Sequence, residues 1–147
     1  MKLLSWIVIL IGVAVLGLAA YVRLAPTVPE AWHRSSGQSE LGHTPAVGGH
    51  LYREVVGTEG PQLLTTLDRI ARETPRTAVL AGSVEEGQIT YITRSRIFGF
   101  PDFTTVTLEG AGEAQVLEIW ARLRFGQSDM GVNRARVEGW LAGLHRG

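Results

Sequence analysis

Residues 115–125 read QVLEIWARLRF, and this stretch gives the clearest structural signal in the chain. Its apolar members are Leu117, Ile119, Ala121, Leu123 and Phe125. Between them stand Glu118, Trp120, Arg122 and Arg124. A repeat of two residues places alternate side chains on opposite faces of a β-strand. The stretch therefore predicts a strand with one apolar face, which a second layer must cover, and one face of Trp and Arg.

Other stretches upstream also have strand character, namely residues 50–56, 77–84, 88–96 and 103–108. Turns at 85–87 and 109–112 and a loop at 98–102 separate the later ones. Strands joined by short turns pair in antiparallel fashion. We therefore expect one antiparallel sheet of about four to five strands.

Two further stretches have helical periodicity. Pro61 suits the first turn of a helix that ends at Pro75, and Leu64, Leu67 and Ala71 fall on one face of it. Residues 130–146 form a second amphipathic segment. Both helices must cover the apolar face of the sheet. The predicted fold class is therefore α+β, a two-layer sandwich of order β-α-β-β-β-β-α over residues 50–147.

The N-terminal stretch, residues 3–22, is apolar and carries no charge. As a helix it would span about 30 Å, enough to cross the hydrocarbon core of a bilayer. The alternative is a cleaved signal peptide, whose apolar region is usually shorter. The length favours an uncleaved transmembrane anchor. Basic residues flank both ends, and the short basic start favours a cytoplasmic N-terminus with the folded domain outside the cytoplasm.

Residues 23–49 carry three prolines, a Ser-Ser-Gly run at 35–37 and a Gly pair at 48–49. They show no sustained periodicity, so we interpret them as an extended, mobile linker. Trp32 is expected to dock either on the domain or on lipid headgroups.

The composition excludes several classes of function. The chain has no cysteine, which excludes disulfides and cysteine nucleophiles. Its net charge is zero, which disfavours nucleic-acid binding. The sequence has no HExxH, P-loop, GxSxG or GxGxxG motif, and the spacing of His33, His43 and His50 matches no common metal motif. We therefore assign no catalytic residue, metal or cofactor from these motifs.

The first candidate site is the turn into the last helix. Ser128 or Asp129 can cap the free N–H groups at the start of that helix. The alternative is an anion site that uses the same N–H groups with Asn133, Arg134 and Arg136. The two arginines are two positions apart, so on a helix they point in different directions.

The second candidate site is a face of the sheet. Arg94 and Arg96 project from one predicted strand, as Arg122 and Arg124 do from another. The face is either a solvated outer surface or a surface that binds an anion or a lipid headgroup. In the second case Asp102 would pair with one of the arginines.

Two stretches resemble a known family, namely ITYITRSRIFGFPDFTTVTL at 89–108 and LEIWARLRFGQSDMGVNRARVEGWLAGL at 117–144. They are similar to the bacterial and chloroplast domain-of-unknown-function family fourteen-ninety-nine, and PRTAVLAGS at 75–83 is similar to its membrane-anchored members. The resemblance covers roughly residues 63–144. It implies an envelope-associated protein without implying an activity. It directs attention to the motif residues Asp102, Asp129, Asn133, Arg134 and Arg136.

The leading hypothesis is a single-pass protein of the bacterial inner membrane with a periplasmic domain that acts as a binding or accessory module. Its Arg-rich edge would take an anion, a lipid headgroup or an acidic partner segment, so membrane lipid and an envelope protein are the expected partners. One alternative is an enzyme of envelope metabolism with Asp102 or Asp129 as acid or base and Arg134 as charge stabiliser. Another is a structural subunit of a membrane complex.

Overall fold

A computed structural model describes residues 1–146. The helices are α1 (Lys2–Leu24), α2 (Pro29–Trp32), α3 (Gly60–Glu73) and α4 (Val132–Leu144). The strands are β1 (Gly42–Ala46), β2 (Gly49–Val55), β3 (Thr77–Ser83), β4 (Gln88–Arg94), β5 (Pro101–Glu109) and β6 (Val116–Leu123). Short 3-10 turns at Gly57–Glu59 and Gly112–Ala114 complete the described elements. The α+β fold class predicted from the sequence is confirmed.

All six strands form one antiparallel sheet in the order β1-β2-β6-β5-β4-β3. The sheet has six strands, one more than the upper end of the prediction. The extra strand is β1, which lies inside the stretch interpreted as a linker. It was missed because GHTPA has no β periodicity and contains Pro45, a residue that sheets tolerate at an edge such as this one.

Helices α3 and α4 cover one face of the sheet. Leu117, Ile119 and Ala121 of β6 are fully buried on that face, as the alternation in the sequence predicts. The helices contribute Leu64, Leu67, Ala71, Val137, Trp140, Leu141 and Leu144 to the same core. The indole of Trp140 donates to the hydroxyl of Thr74 at 2.9 Å. This bond ties the middle of α4 to the end of α3.

The opposite face of the sheet is covered by residues 25–38, which we call the strap. Trp32 stacks on Phe103 with ring centroids 4.0 Å apart. The imidazole of His33 lies 3.0 Å from the hydroxyl of Thr90. In contrast to the expected mobile linker, this part of residues 23–49 is therefore packed on the sheet. Trp32 therefore docks on the domain, where the strap covers aromatic rings and buried polar groups of this sheet face.

Helix α1 is long and apolar enough to cross a membrane, and its side chains are exposed along most of its length. Its last turn contacts the domain. Tyr21 packs edge-on against Phe125 at 6.1 Å, Val22 is buried, and the Arg23 guanidinium donates to the Ile97 carbonyl at 3.1 Å. We call the part of the domain that meets α1, formed by residues 95–100 and 124–131, the anchor-side end.

Candidate functional site

The Arg residues of β6 hold the strap in place. Arg122 is buried and donates to the Trp32 carbonyl at 2.8 Å and to the Thr105 hydroxyl at 2.5 Å. Its guanidinium carbon lies 3.8 Å from the Trp120 ring centroid. Burial, with the nearby charge of Arg34, lowers the pKa of Arg122 to about 10. Arg122 is thus an internal structural cation, enclosed by the chain itself.

Arg124 and Arg94 are also engaged by backbone carbonyls. Arg124 donates to the Pro26 carbonyl at 2.6 Å and to the Thr27 hydroxyl at 2.9 Å. Arg94 donates to the Gly99 carbonyl at 3.0 Å, which closes the loop after β4. Arg96 lies exposed on that loop. By strand register Arg94 and Arg122 project from the same sheet face, as expected, but the strap covers that face. The four arginines therefore do not form one open surface.

A buried ion pair beneath the strap was not visible from the sequence. Glu118 is fully buried and accepts hydrogen bonds from Arg53 and from the backbone N–H of Ser36, the latter at 2.7 Å. Arg53 also donates to Glu109 at 2.7 Å. Arg53 and Glu118 are opposite each other in the β2–β6 register. Only the strand pairing, which the sequence did not specify, could have indicated this contact.

Asp129 closes the turn into α4. Its carboxylate accepts the backbone N–H of Gly131 at 3.1 Å and that of Asn133 at 2.9 Å. The Ser128 hydroxyl accepts the N–H of Met130 at 3.3 Å. Partial burial by itself would raise the pKa of Asp129, but the N–H donors outweigh it and lower the pKa below its ordinary value. Asp129 therefore satisfies one N–H of the first turn of α4, as expected, whereas the Ser128 hydroxyl bonds only an N–H of the turn that precedes the helix.

The remaining motif residues divide into two groups. Arg136 donates to the Asp102 carboxylate at 3.3 Å and to the side-chain oxygen of Asn133, which is fully buried. Arg134 instead pairs with Glu138 at 2.7 Å on the exposed side of α4. The two arginines diverge, as their spacing on a helix predicts. Burial raises the pKa of Asp102 despite the opposing effect of Arg136.

Two clefts flank the Asp102–Arg136 pair. The first, which we call the loop cleft, has a volume of about 320 Å³. It is lined by Ser95, Phe100, Asp102, Leu123, Phe125, Ser128, Asp129, Met130 and Val132. Its walls are largely apolar, and Asp102 and Asp129 are the charged groups among them. The sequence-based site was the edge formed by residues 100–102 and 128–136, and it did not include the apolar Leu123 and Phe125.

The second cleft, which we call the helix-side cleft, has a volume of about 500 Å³. It is lined by Ile70, Thr74, Pro75, Arg76, Thr93, Val132, Ala135, Arg136, Gly139 and Trp140. Val132 lines both clefts. Arg76 was not singled out from the sequence, where only its position after Pro75 marks it.

The histidines of the N-terminal part form a pair. His43 Nδ1 lies 2.9 Å from Nε2 of the buried His50. Burial, followed by the effect of His43, lowers the pKa of His50. Within residues 1–146 no group of three or more His, Cys, Asp or Glu side chains is placed to hold a metal ion. His33 lies apart from the pair, against Thr90 on the opposite sheet face.

The fold and these clefts define an α+β domain of one six-stranded antiparallel sheet with two helices on one face and the chain's own strap on the other. The family model described as "Protein of unknown function (DUF1499)" matches residues 50–144, and the chain belongs to that family. The match begins in β2 and ends with α4, so it includes both clefts and excludes α1 and the strap. No curated protein matches the chain.

Proposed function

We propose that this chain is a membrane-anchored binding module whose loop cleft takes an amphiphilic ligand, such as a lipid. The observation that carries this proposal is that an apolar cleft opens at the end of the domain where α1 attaches. A ligand with an acyl chain would pass from a bilayer around α1 into the cleft over a short distance. The periplasmic side of the bacterial inner membrane is the proposed location, because the basic start of the chain favours that orientation.

The exposed residues of the anchor-side end support the membrane part of the proposal. Ile97 is 75% exposed and Met130 is 93% exposed, and Phe98 adds a partly exposed ring. Clustered apolar side chains on a surface commonly mark a contact with a membrane or a partner. The hydrogen bond from Arg23 to Ile97 places this loop directly beside α1.

The lining of the loop cleft suggests which ligands fit it. Phe100, Leu123 and Phe125 provide apolar contacts for a hydrocarbon chain. Asp102 and Asp129 accept hydrogen bonds and carry negative charge, so they favour hydroxyl or ammonium groups over anions. Among the ligand classes expected from the sequence, a lipid with donor groups on its head therefore suits the loop cleft best.

Native mass spectrometry of the detergent-solubilised full chain tests the proposal. We expect a lipid adduct on the wild type and about tenfold weaker retention in Phe100→Ser, since burying an aromatic side chain against a ligand is worth about 1.5 kcal/mol or more. Val55→Ser is the matched control because Val55 is a half-exposed apolar residue at the far end of β2. Equal retention in both variants, or a wild type without any adduct, would overturn the assignment.

A second function is favoured by one observation. Asp102 and Asp129 line the same cleft, and their surroundings shift their pKa values in opposite directions, upward for Asp102 by burial and downward for Asp129 by N–H donors. Such a pair can provide an acid and a base for catalysis. An enzyme would lose turnover in Asp102→Asn while retaining the bound lipid. Comparing lipid extracts of cells that express the wild type or Asp102→Asn would reveal a product that only the wild type makes.

A further inference from the structure

The helix-side cleft is the larger of the two clefts, and the proposed function makes no use of it. It contains two guanidinium groups, from Arg76 and Arg136, and no Asp or Glu is among its lining residues. The hydroxyl-bearing Thr74 and Thr93 also line it. This combination of cations and hydroxyl groups along an open cleft suits an oxyanion ligand.

The backbone at Arg76 is unusual for an arginine. Arg76 has a φ of 59° in the turn from Thr74 to Thr77, which the Thr77 N–H closes on the Thr74 carbonyl at 3.2 Å. Glycine or asparagine normally occupies a position with positive φ, because other side chains are strained there. Turn geometry alone therefore does not explain an arginine at this position, and strained residues are concentrated at functional sites.

The side chain of Arg76 retains free hydrogen-bonding capacity. Its Nε donates to the Arg94 carbonyl at 3.0 Å, which directs the side chain toward the end of β4. Within residues 1–146 its two terminal nitrogens have no hydrogen-bond partner. Arg76 is exposed, so these nitrogens can turn toward a ligand in the cleft.

Arg136 provides a fixed cation in the same cleft. Its side chain is 10% exposed, and its terminal nitrogens are held by Asp102 and Asn133. Asp102 lines the loop cleft and is absent from the lining of the helix-side cleft. A rigid guanidinium opposite a movable one is a suitable arrangement for gripping a group with several oxygens.

We propose that the helix-side cleft binds a phosphate group, with Arg136 as the fixed contact and Arg76 as the residue that closes over it. The phosphate is either a free ion or the headgroup of a membrane lipid. A lipid headgroup fits the position of the cleft because the Arg76 carbonyl accepts a hydrogen bond from the N–H of Arg94, at the end of β4 next to the anchor-side end. The site does not depend on a ligand in the loop cleft, so either assignment can fail without the other.

The decisive variant is Arg76→Gly. Glycine suits the positive φ of this position, so the variant removes the guanidinium without harming the turn. Arg69→Ala is the matched control, because it removes the same charge from the exposed side of α3, where Arg69 pairs with Glu73. The wild-type full chain in nonionic detergent should show a higher Tm in inorganic phosphate than in chloride at equal ionic strength.

We expect Arg69→Ala to keep the phosphate-dependent rise in Tm and Arg76→Gly to bind phosphate about tenfold more weakly. A second measurement separates the sources, namely native mass spectrometry with phosphatidylglycerol and with diacylglycerol of the same chains. If the wild type prefers phosphatidylglycerol to diacylglycerol and Arg76→Gly abolishes this preference, the ligand is a lipid headgroup, even without a response to free phosphate. An equal response of wild type and Arg76→Gly to both probes, or no response to either, would overturn the proposal.

Discussion

The guanidinium of Arg122 donates a hydrogen bond of 2.8 Å to the carbonyl oxygen of Trp32, a residue ninety positions earlier in the chain. The bond joins the strap to β6, the strand that the sequence predicted most clearly. This bond and the Trp120 ring beside the guanidinium offset part of the cost of burying the Arg122 cation. The segment after α1 is therefore part of the folded domain and limits how far the domain can move from α1.

The stacking of Trp32 on Phe103 predicts that the strap contributes to stability. Trp32→Ala removes the stacked ring and exposes Phe103, which is otherwise fully buried. We expect a loss of about 2 kcal/mol in the free energy of unfolding, which is below the usual cost of truncating a large core aromatic because Trp32 is only partly buried. Denaturant unfolding of the full chain in detergent measures this. Leu41→Ala, at an exposed position, is the control and should change the stability little.

The Arg53–Glu118 ion pair predicts a larger effect. Glu118→Gln leaves the cation of Arg53 buried with only Glu109 as a charged partner and weakens the contacts with Ser36. Removing one partner of a buried pair typically costs about 3 kcal/mol, which we expect here. The measurement is the same denaturant titration.

The double variant Arg53→Leu and Glu118→Leu separates charge from packing. If the cost of Glu118→Gln comes from an uncompensated buried cation, the double variant should recover a large part of it. A double variant that is less stable than Glu118→Gln would instead show that the ion pair itself stabilises the strap through Ser36.

The sequence predicted those parts of the fold that depend on local patterns. The alternation in residues 117–123 identified β6 and its buried face, and the capping role of Asp129 follows from its place just before α4. The Asp102–Arg136 contact spans thirty-four positions and depends on how β5 and α4 pack. Such contacts, like the strand β1 at the sheet edge, are determined by tertiary packing and leave no periodic signal.

The lowered pKa of Asp129 predicts how it contributes to stability as the pH changes. Partial burial opposes ionisation, but the N–H donors of Asn133 and Gly131 outweigh it, so the folded state binds a proton at Asp129 more weakly than the unfolded state does. Its contribution is therefore present above the unfolded pKa, which is about 3.9 for Asp, and is lost as the pH falls through the lower folded value. Asp129→Asn should be less stable than the wild type by about 1 kcal/mol at neutral pH.

Titrating both proteins toward acid checks this prediction. The stability difference between wild type and Asp129→Asn should shrink below about pH 4, where the carboxylate of the unfolded state is already protonated. A difference that stays constant down to pH 2 would show that the charge of Asp129 is not what holds the turn.

The raised pKa of Asp102 predicts the opposite dependence of stability on pH. Burial raises this pKa, although the charge of Arg136 acts against it. The folded state binds the proton more tightly, so the stability linked to that proton is present below the unfolded pKa and is lost as the pH rises through the folded pKa. In Asp102→Asn this dependence disappears. Compared with the variant, the wild type should therefore gain stability as the pH is lowered from neutral toward about 4. Parallel pH profiles of the two proteins would contradict the raised pKa.

The exposed apolar tips at the anchor-side end predict a second contact with the bilayer, beyond α1. The chain has no cysteine, so a single cysteine placed at position 98 or 130 can carry one spin label. In nanodiscs, labels in Phe98→Cys and Met130→Cys should be accessible to oxygen and shielded from a water-soluble relaxation agent, because apolar tips lower their free energy in the interface. A label in Glu113→Cys, in the 3-10 turn Gly112–Ala114 before β6 at the far end of the sheet, should remain in water.

A fourth label, in Gly12→Cys at the middle of α1, makes the result interpretable. Nothing lies within 4 Å of a side chain added at Gly12, so the label can be placed there without disturbing the domain. If that label is buried in lipid while those at 98 and 130 are in water, α1 anchors the chain but the domain stands clear of the bilayer. The loop cleft would then have to receive its ligand through water, and transfer of an acyl chain from the bilayer into water is unfavourable. If all four labels are in water, α1 does not span the bilayer and the proposed route from membrane to cleft is wrong.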